Sequence, residues 1–146
     1  LWVTEADEAV GRRRKEGVRK GLAGGGVTEM PCWEADFTFE TAYARAREIL
    51  SGPDRPEALV CATDRIAYGV YKAARELGLR IPEDIAVAGF GGYDTSELLS
   101  PPLTTVRFDV ETAACVCADT VLKMCEGEPV SQTQLVGYQF LPGGSV

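Results

Sequence analysis

The sequence predicts an α/β domain built on a mostly parallel sheet, and three observations carry that expectation. Two short runs, residues 58–62 and 85–90, are apolar at consecutive positions rather than at every second one, as strands are when helices cover both faces of their sheet. Between them, residues 65–77 repeat apolar side chains at three-and-four spacing, the mark of an amphipathic helix. Strand-like and helix-like segments then alternate along the chain, the order that builds parallel sheets through crossover helices.

Taken in order, residues 1–4 read as an entering strand and residues 10–23 as a helix that Gly24, Gly25 and Gly26 end. That helix carries the basic run Arg12, Arg13, Arg14 and Lys15, followed by Arg19 and Lys20. Val10, Val18 and Leu22 give it an apolar side and Glu16 a compensating charge. The run therefore reads as a solvated helix face more readily than as a nucleic-acid patch. Residues 27–33 are a second strand candidate, interrupted by Pro31. Thr38 starts a helix with Phe39, Ala42, Tyr43, Ala46, Ile49 and Leu50 on one side, which Gly52 and Pro53 stop.

After the strand at 58–62, Asp64 reads as the N-cap of the 65–77 helix. Ile66, Ala67, Val70, Ala73, Ala74 and Leu77 form its inward stripe. Gly78 closes the helix, Pro82 breaks the linker, and Gly91 and Gly92 let the chain turn sharply after the strand at 85–90. Pro101 and Pro102 impose an extended entry into a strand over 103–108. A helix over 110–126, with Val110, Ala114, Cys117, Val121, Leu122 and Cys125 on one side, precedes a last strand over 134–141.

Composition bounds the function. A length of 146 residues suits one domain with a real core, and 45% apolar with 25% charged residues is the balance of a globular protein. No apolar run approaches the ~20 residues of a membrane span. A net charge of −7 argues against nucleic-acid binding by bulk electrostatics. The absence of histidine removes His-ligated zinc sites, Ser-His triads and imidazole bases. Five cysteines, an odd number at irregular spacing, read as reduced thiols in a cytoplasmic setting. Cys115 and Cys117, two apart on a helix, face different directions and cannot clamp one metal. With neither an initiator Met nor a signal peptide, the chain reads as a part of a longer protein.

Function is concentrated at the tips of the two buried strands, which would open side by side onto one crevice. Thr63-Asp64 reads either as a polar ligand pair or simply as a helix cap. Gly89, Gly91 and Gly92 superficially match a dinucleotide fingerprint, but no helix start and no acidic residue follow at the required spacing. No paired carboxylates make a catalytic site of Asp36, Asp64 or Asp94. From spacing alone, the chain is a ligand-binding α/β domain of open specificity.

The wording of these tips is more specific. The run ALVCATDRIAYG, then IPEDIAVAGF, then PPLTTV resembles the effector-binding domain of the lactose/galactose-repressor family of bacterial transcription regulators. The likeness extends upstream to an Arg-x-x-Gly helix at Arg14 and downstream to the final strand. It implies a periplasmic-binding-protein-like type I fold, a three-layer α/β/α arrangement, with residues 1–107 as the C-terminal subdomain. The helix and strand over 108–141 would complete the N-terminal subdomain, and the DNA-binding headpiece would lie outside the chain. The apolar side of that helix is accordingly expected to be poorly covered.

The resemblance implies a carbohydrate effector, no cofactor and no catalytic role. Arg14 corresponds to the arginine that hydrogen-bonds ligand hydroxyls or a carboxylate, and Phe37 to the aromatic against one ligand face. Thr63 and Asp64 correspond to the polar pair, and Gly91 and Arg107 complete the expected ligand set. Arg14 also reads as a surface residue and Phe37 as core. At Gly91 the family usually places an acidic contact, so its absence points to a different or bulkier ligand. The Gly-Phe-Gly-Gly-Tyr wording looks most like the sucrose-operon repressor branch, which suggests sucrose, another disaccharide or a sugar phosphate. A second departure is Gly143, where an arginine two residues before Ser145 is common. By the same resemblance the protein is a homodimer pairing through Tyr43, Tyr68, Lys72, Leu98 and Leu99. It would touch operator DNA only through its headpiece and would contact no membrane. The competing expectation is a transport-type sugar-binding protein of the same fold.

Overall fold

The structure, a computed structural model, describes residues 8–28, 30–33 and 38–146. The expected strand at 1–4 and the candidate residues Asp36 and Phe37 lie outside the described residues. Helix α1 (Glu8–Gly24) is followed by α2 (Phe39–Ser51), strand β1 (Ala58–Val60), α3 (Asp64–Glu76) and β2 (Ala86–Ala88). A 3-10 turn (Asp94–Leu98), β3 (Thr105–Phe108), α4 (Val110–Cys125) and β4 (Tyr138–Leu141) complete the chain. The described residues of 27–33 form no strand, and Pro31 lacks the N–H that a ladder there would require.

β1 pairs with β2 in parallel, with Leu59 opposite Val87. Isolated parallel bridges, Ala88 to Thr104 and Gly91 to Arg107, continue the sheet from β2 to β3. β4 joins β3 antiparallel, with Val106 opposite Phe140. The sheet is therefore parallel through its first three strands and closes with one antiparallel edge. Beyond Ala88 the chain stays tied to its neighbours through single bonds, the Asp64 N–H to the Phe90 carbonyl and the Gly91 N–H to the Val106 carbonyl.

Helices α2 and α3 pack together over one face of the sheet. Ala42, Ala46 and Leu50 meet Ile66, Val70, Ala73 and Ala74 in a single buried cluster with Leu59, Ile85, Val87 and Leu103. Small residues bring the two helices close: a Cβ at Gly69 would stand 2.6 Å from the Tyr43 backbone nitrogen. On the opposite side, Val18 of α1 packs against the same cluster, and an apolar cavity of about 520 Å³ separates α1 from the sheet. Arg12, Arg13, Lys15, Arg19 and Lys20 are all exposed, which makes the basic run a solvated helix face.

The C-terminal tail is part of the core. Ser145 is fully buried; its hydroxyl donates to the Val87 carbonyl at 2.6 Å and accepts from the Thr104 N–H at 2.8 Å. It thereby fills the gap where β2 and β3 diverge. α4 is the opposite case, since none of its residues is buried. Val121, Leu122 and Met124 are more than half exposed, which agrees with the expectation of a poorly covered helix.

Candidate functional site

A cleft of about 900 Å³ lies where the carboxyl ends of β1 and β2 meet the N-termini of α2 and α3. Each helix start is capped: Thr38 accepts from the Thr41 N–H at 3.3 Å, and Thr63 accepts from the Ile66 N–H. The sequence placed the α3 cap at Asp64, and the structure corrects it to Thr63. Thr63 holds the extended backbone that an N-cap needs, with φ −143° and ψ 159°. Asp64 is the first helical residue, and its side chain points inward.

That inward carboxylate is the centre of the tip. It is fully buried, and four donors converge on its two oxygens. Oδ2 accepts from the Gly92 N–H at 2.8 Å, the Tyr93 N–H at 3.0 Å and the Ser96 hydroxyl at 2.8 Å. Oδ1 accepts from the Thr105 hydroxyl at 2.6 Å. A carboxylate can accept all four, and it has no donor of its own to offer. Asp64 was expected among the ligand contacts. The structure instead makes it a clamp that ties the β1 tip to the β2 tip, the 3-10 turn and β3.

Arg14 reaches the site from α1. Its Nη1 donates to the Ala62 carbonyl at 2.8 Å, and its guanidinium lies 4.6 Å from the centre of the Phe90 ring. Phe90 in turn packs edge-on against Phe108, with centroids 5.0 Å apart. A guanidinium carries five N–H donors, so this anchoring leaves donors of Arg14 for a ligand at the strand tips. Arg14 and Thr63 both line the first cleft.

Gly91 and Arg107 lie in a second cleft of about 850 Å³, formed with Phe108, the start of α4 and residues 137–139. Gly91 has φ +143° and Gly92 φ +68°, conformations that disfavour any side chain. The Arg107 side chain occupies the space a Cβ on Gly92 would take. Its Nε donates to the Gly92 carbonyl at 2.9 Å and its Nη2 pairs with Glu97 at 3.0 Å. Part of the Arg107 fork is thus engaged within the protein, while the residue also lines the second cleft. Tyr93 lines both clefts and stands between them. Sequence reasoning did not single it out; its only signal was an aromatic directly after two glycines.

Of the residues expected at a dimer surface, Tyr43 lies on α2, Tyr68 and Lys72 on α3, and Leu98 and Leu99 at the end of the 3-10 turn. The Tyr43 hydroxyl donates to Glu76, and Lys72 Nζ sits 4.4 Å from the Tyr43 ring centre. The Tyr68 hydroxyl contacts Thr95 and Ser96. Leu98 is 83% exposed, whereas Leu99 is partly buried against the core. Burial, and secondarily the charge of Asp64, pushes the Cys61 thiol up, which keeps it from acting as a thiolate. Among the described residues no group of acids and cysteines could hold a metal ion.

The family model for the periplasmic binding protein-like domain matches residues 2–146. A lactose operon repressor of Rhizobium radiobacter is 39% identical over 93 residues, which cover 64% of this chain and 82% of that protein. The chain belongs to the lactose/galactose-repressor family of transcriptional regulators, within the periplasmic binding protein-like domain. An uncharacterized HTH-type transcriptional regulator of Bacillus subtilis, YvdE, is 37% identical over 131 residues, 90% of this chain and 41% of the regulator. A crystal structure of a Lac repressor dimer bound to operator and an anti-inducer superposes with a TM-score of 0.87 at 25% identity, over 98% of this chain and 44% of that one. The chain thus spans less than half the length of such full-length family members. No described helix is long and apolar enough to cross a membrane.

Proposed function

We propose that this chain is the C-terminal part of the ligand-sensing and dimerisation domain of a sugar-responsive bacterial transcriptional repressor. One observation carries the reading: the Arg14 guanidinium is fixed at the carboxyl ends of β1 and β2, beside a cleft of about 900 Å³. In an open parallel sheet this is where ligands sit, and a rigid planar fork of donors suits vicinal hydroxyls or a sugar phosphate. The relatives include lactose and ribose operon repressors and the HTH-type transcriptional repressor PurR, which favours a regulator over a transport-type binding protein.

In this reading residues 1–107 form one subdomain wall of the ligand cleft, and the opposite wall belongs to sequence outside this chain. α4 and β4 cross to that other subdomain, which covers the apolar residues Val121, Leu122 and Met124. Effector binding draws the two walls together and changes the spacing of two DNA-reading headpieces in a cytoplasmic homodimer. The surface carrying Tyr43, Tyr68, Lys72 and Leu98 pairs the protomers, as two-fold operators require.

Titration calorimetry of the intact regulator against mono-, di- and phosphorylated sugars, sucrose among them, tests the reading. Binding of one class with micromolar affinity, weakened roughly tenfold or more by Arg14→Ala, is the expected result. Absence of heat with every sugar overturns it, and unchanged affinity in the variant removes Arg14 from the site.

A further inference from the structure

We propose that Tyr93 is a specificity-determining residue of this site, presenting one ring face for stacking against a cyclic sugar. The inference rests on the sugar-effector reading and adds a contact that sequence reasoning did not supply. Tyr93 lines both clefts, and Phe90 of the first and Phe108 of the second already have partners. Arg14 stands over the Phe90 ring at 4.6 Å, and Phe90 and Phe108 pack edge to face. Tyr93 has neither a cation nor an aromatic partner among the described residues, is 48% exposed, and borders both clefts.

Its position is built rather than accidental. The Tyr93 N–H is held by Asp64 Oδ2 at 3.0 Å, next to the Gly92 N–H at 2.8 Å. The ring lies against Gly91, its Cε2 and Cζ atoms 3.3 Å from where a Cβ would be. A side chain at 91 would therefore press on the ring, besides being strained at φ +143°. The bare tip and the ring above it form one unit, and glycine at 91 makes room for the phenol. The phenol oxygen has no hydrogen-bond partner among the described residues and stays free for a hydroxyl. A cyclic sugar offers what such a ring takes: a face of C–H groups to desolvate and hydroxyls at its rim. An open-chain polyol has the hydroxyls but no fixed face.

The test is calorimetry on the intact regulator with sucrose, glucose, fructose, ribose and the open-chain polyol sorbitol. For whichever cyclic sugar binds, Tyr93→Ala is expected to weaken binding roughly tenfold, and Tyr93→Phe to stay within about threefold, since it keeps the ring. The preference for that sugar over sorbitol should shrink in the alanine variant alone. Thermal unfolding without ligand should be unchanged in both variants, because the ring is half exposed. If the parent protein binds a cyclic sugar and Tyr93→Ala matches it within about twofold, the stacking role is overturned while the sugar reading stands. If no sugar binds the parent, the sugar reading falls and this inference falls with it.

Discussion

The Asp64 carboxylate accepts a 2.6 Å hydrogen bond from the Thr105 hydroxyl, 41 residues further along the chain. With its contacts to Gly92, Tyr93 and Ser96, this bond makes one buried side chain the fastener of the whole ligand-facing tip. Asp64→Asn replaces an acceptor oxygen with an N–H₂ group aimed at donors. Bonds to charged groups are worth more than neutral ones, and leaving buried donors unpaired adds to the loss. We expect destabilisation of about 3 kcal/mol in urea unfolding, with faster amide exchange at Gly92 and Tyr93. An equally stable variant with unchanged exchange would remove Asp64 from this role.

Gly69 sits in the middle of α3, where alanine ordinarily gains about 1 kcal/mol. Here a Cβ would meet the Tyr43 nitrogen at 2.6 Å and the Ala42 carbonyl carbon at 2.9 Å. Both are backbone atoms of α2, so the helices themselves would have to part. Gly69→Ala should therefore destabilise by about 2 kcal/mol, as overpacked cores do. Gly21 in α1 faces open space, and Gly21→Ala should be neutral or stabilising by up to ~1 kcal/mol. Denaturant midpoints for the pair check the contrast, and equal shifts would refute it.

Leu122 of α4 is 63% exposed. Leu122→Glu should leave the stability of this chain within about 0.5 kcal/mol, as surface substitutions do. In the intact regulator, where we place the other subdomain over this residue, the same change should cost about 2 kcal/mol or more. Thermal denaturation of both forms decides the matter. A neutral effect in the intact protein would mean that nothing covers this side of α4.

Asp84 is held by Arg80 twice over, through the side chain at 3.0 Å and the backbone N–H at 2.8 Å. The Arg80 side-chain hydrogen bond first, and its backbone bond second, lower the Asp84 carboxyl from its ordinary 3.8 to about 2. A carboxyl lowered on folding adds stability above its unfolded value and loses it as pH falls through the folded one. Asp84→Asn should therefore flatten the loss of stability between about pH 4 and pH 2. The effect should be small because the pair is exposed. Urea midpoints measured across that window test it, and parallel curves for parent and variant would discard the assignment.

Much of the frame was legible in the chain. The stripe from Ile66 to Ala74 became the buried face of α3 because three-and-four spacing leaves a helix only one side to bury. The consecutive apolar residues at 58–60 and 86–88 became paired parallel strands with helices packed over them. Residues 27–33 show the limit of such patterns: they look apolar enough for a strand, yet their described part forms none. The site was legible in part. Arg14 and Thr63 reach the first cleft, and the glycines at 91 and 92 adopt the turn their freedom suggested.

By itself, then, the sequence determined the order of strands and helices, the faces they bury, and a strand tip bare of side chains. Those are local properties, set by spacing and by what glycine alone can adopt. The tertiary structure decided what each polar group at the tip does. Asp64 turns inward because donors from the β2 tip, the 3-10 turn and β3 converge on it. Arg107 is drawn to Glu97 and the Gly92 carbonyl. Tyr93 gains its place between the clefts because Gly91 leaves room beneath the ring. The bonds of Asp64 and Arg107 join residues from different segments, and no local pattern encodes a bond that forms only once the sheet is assembled.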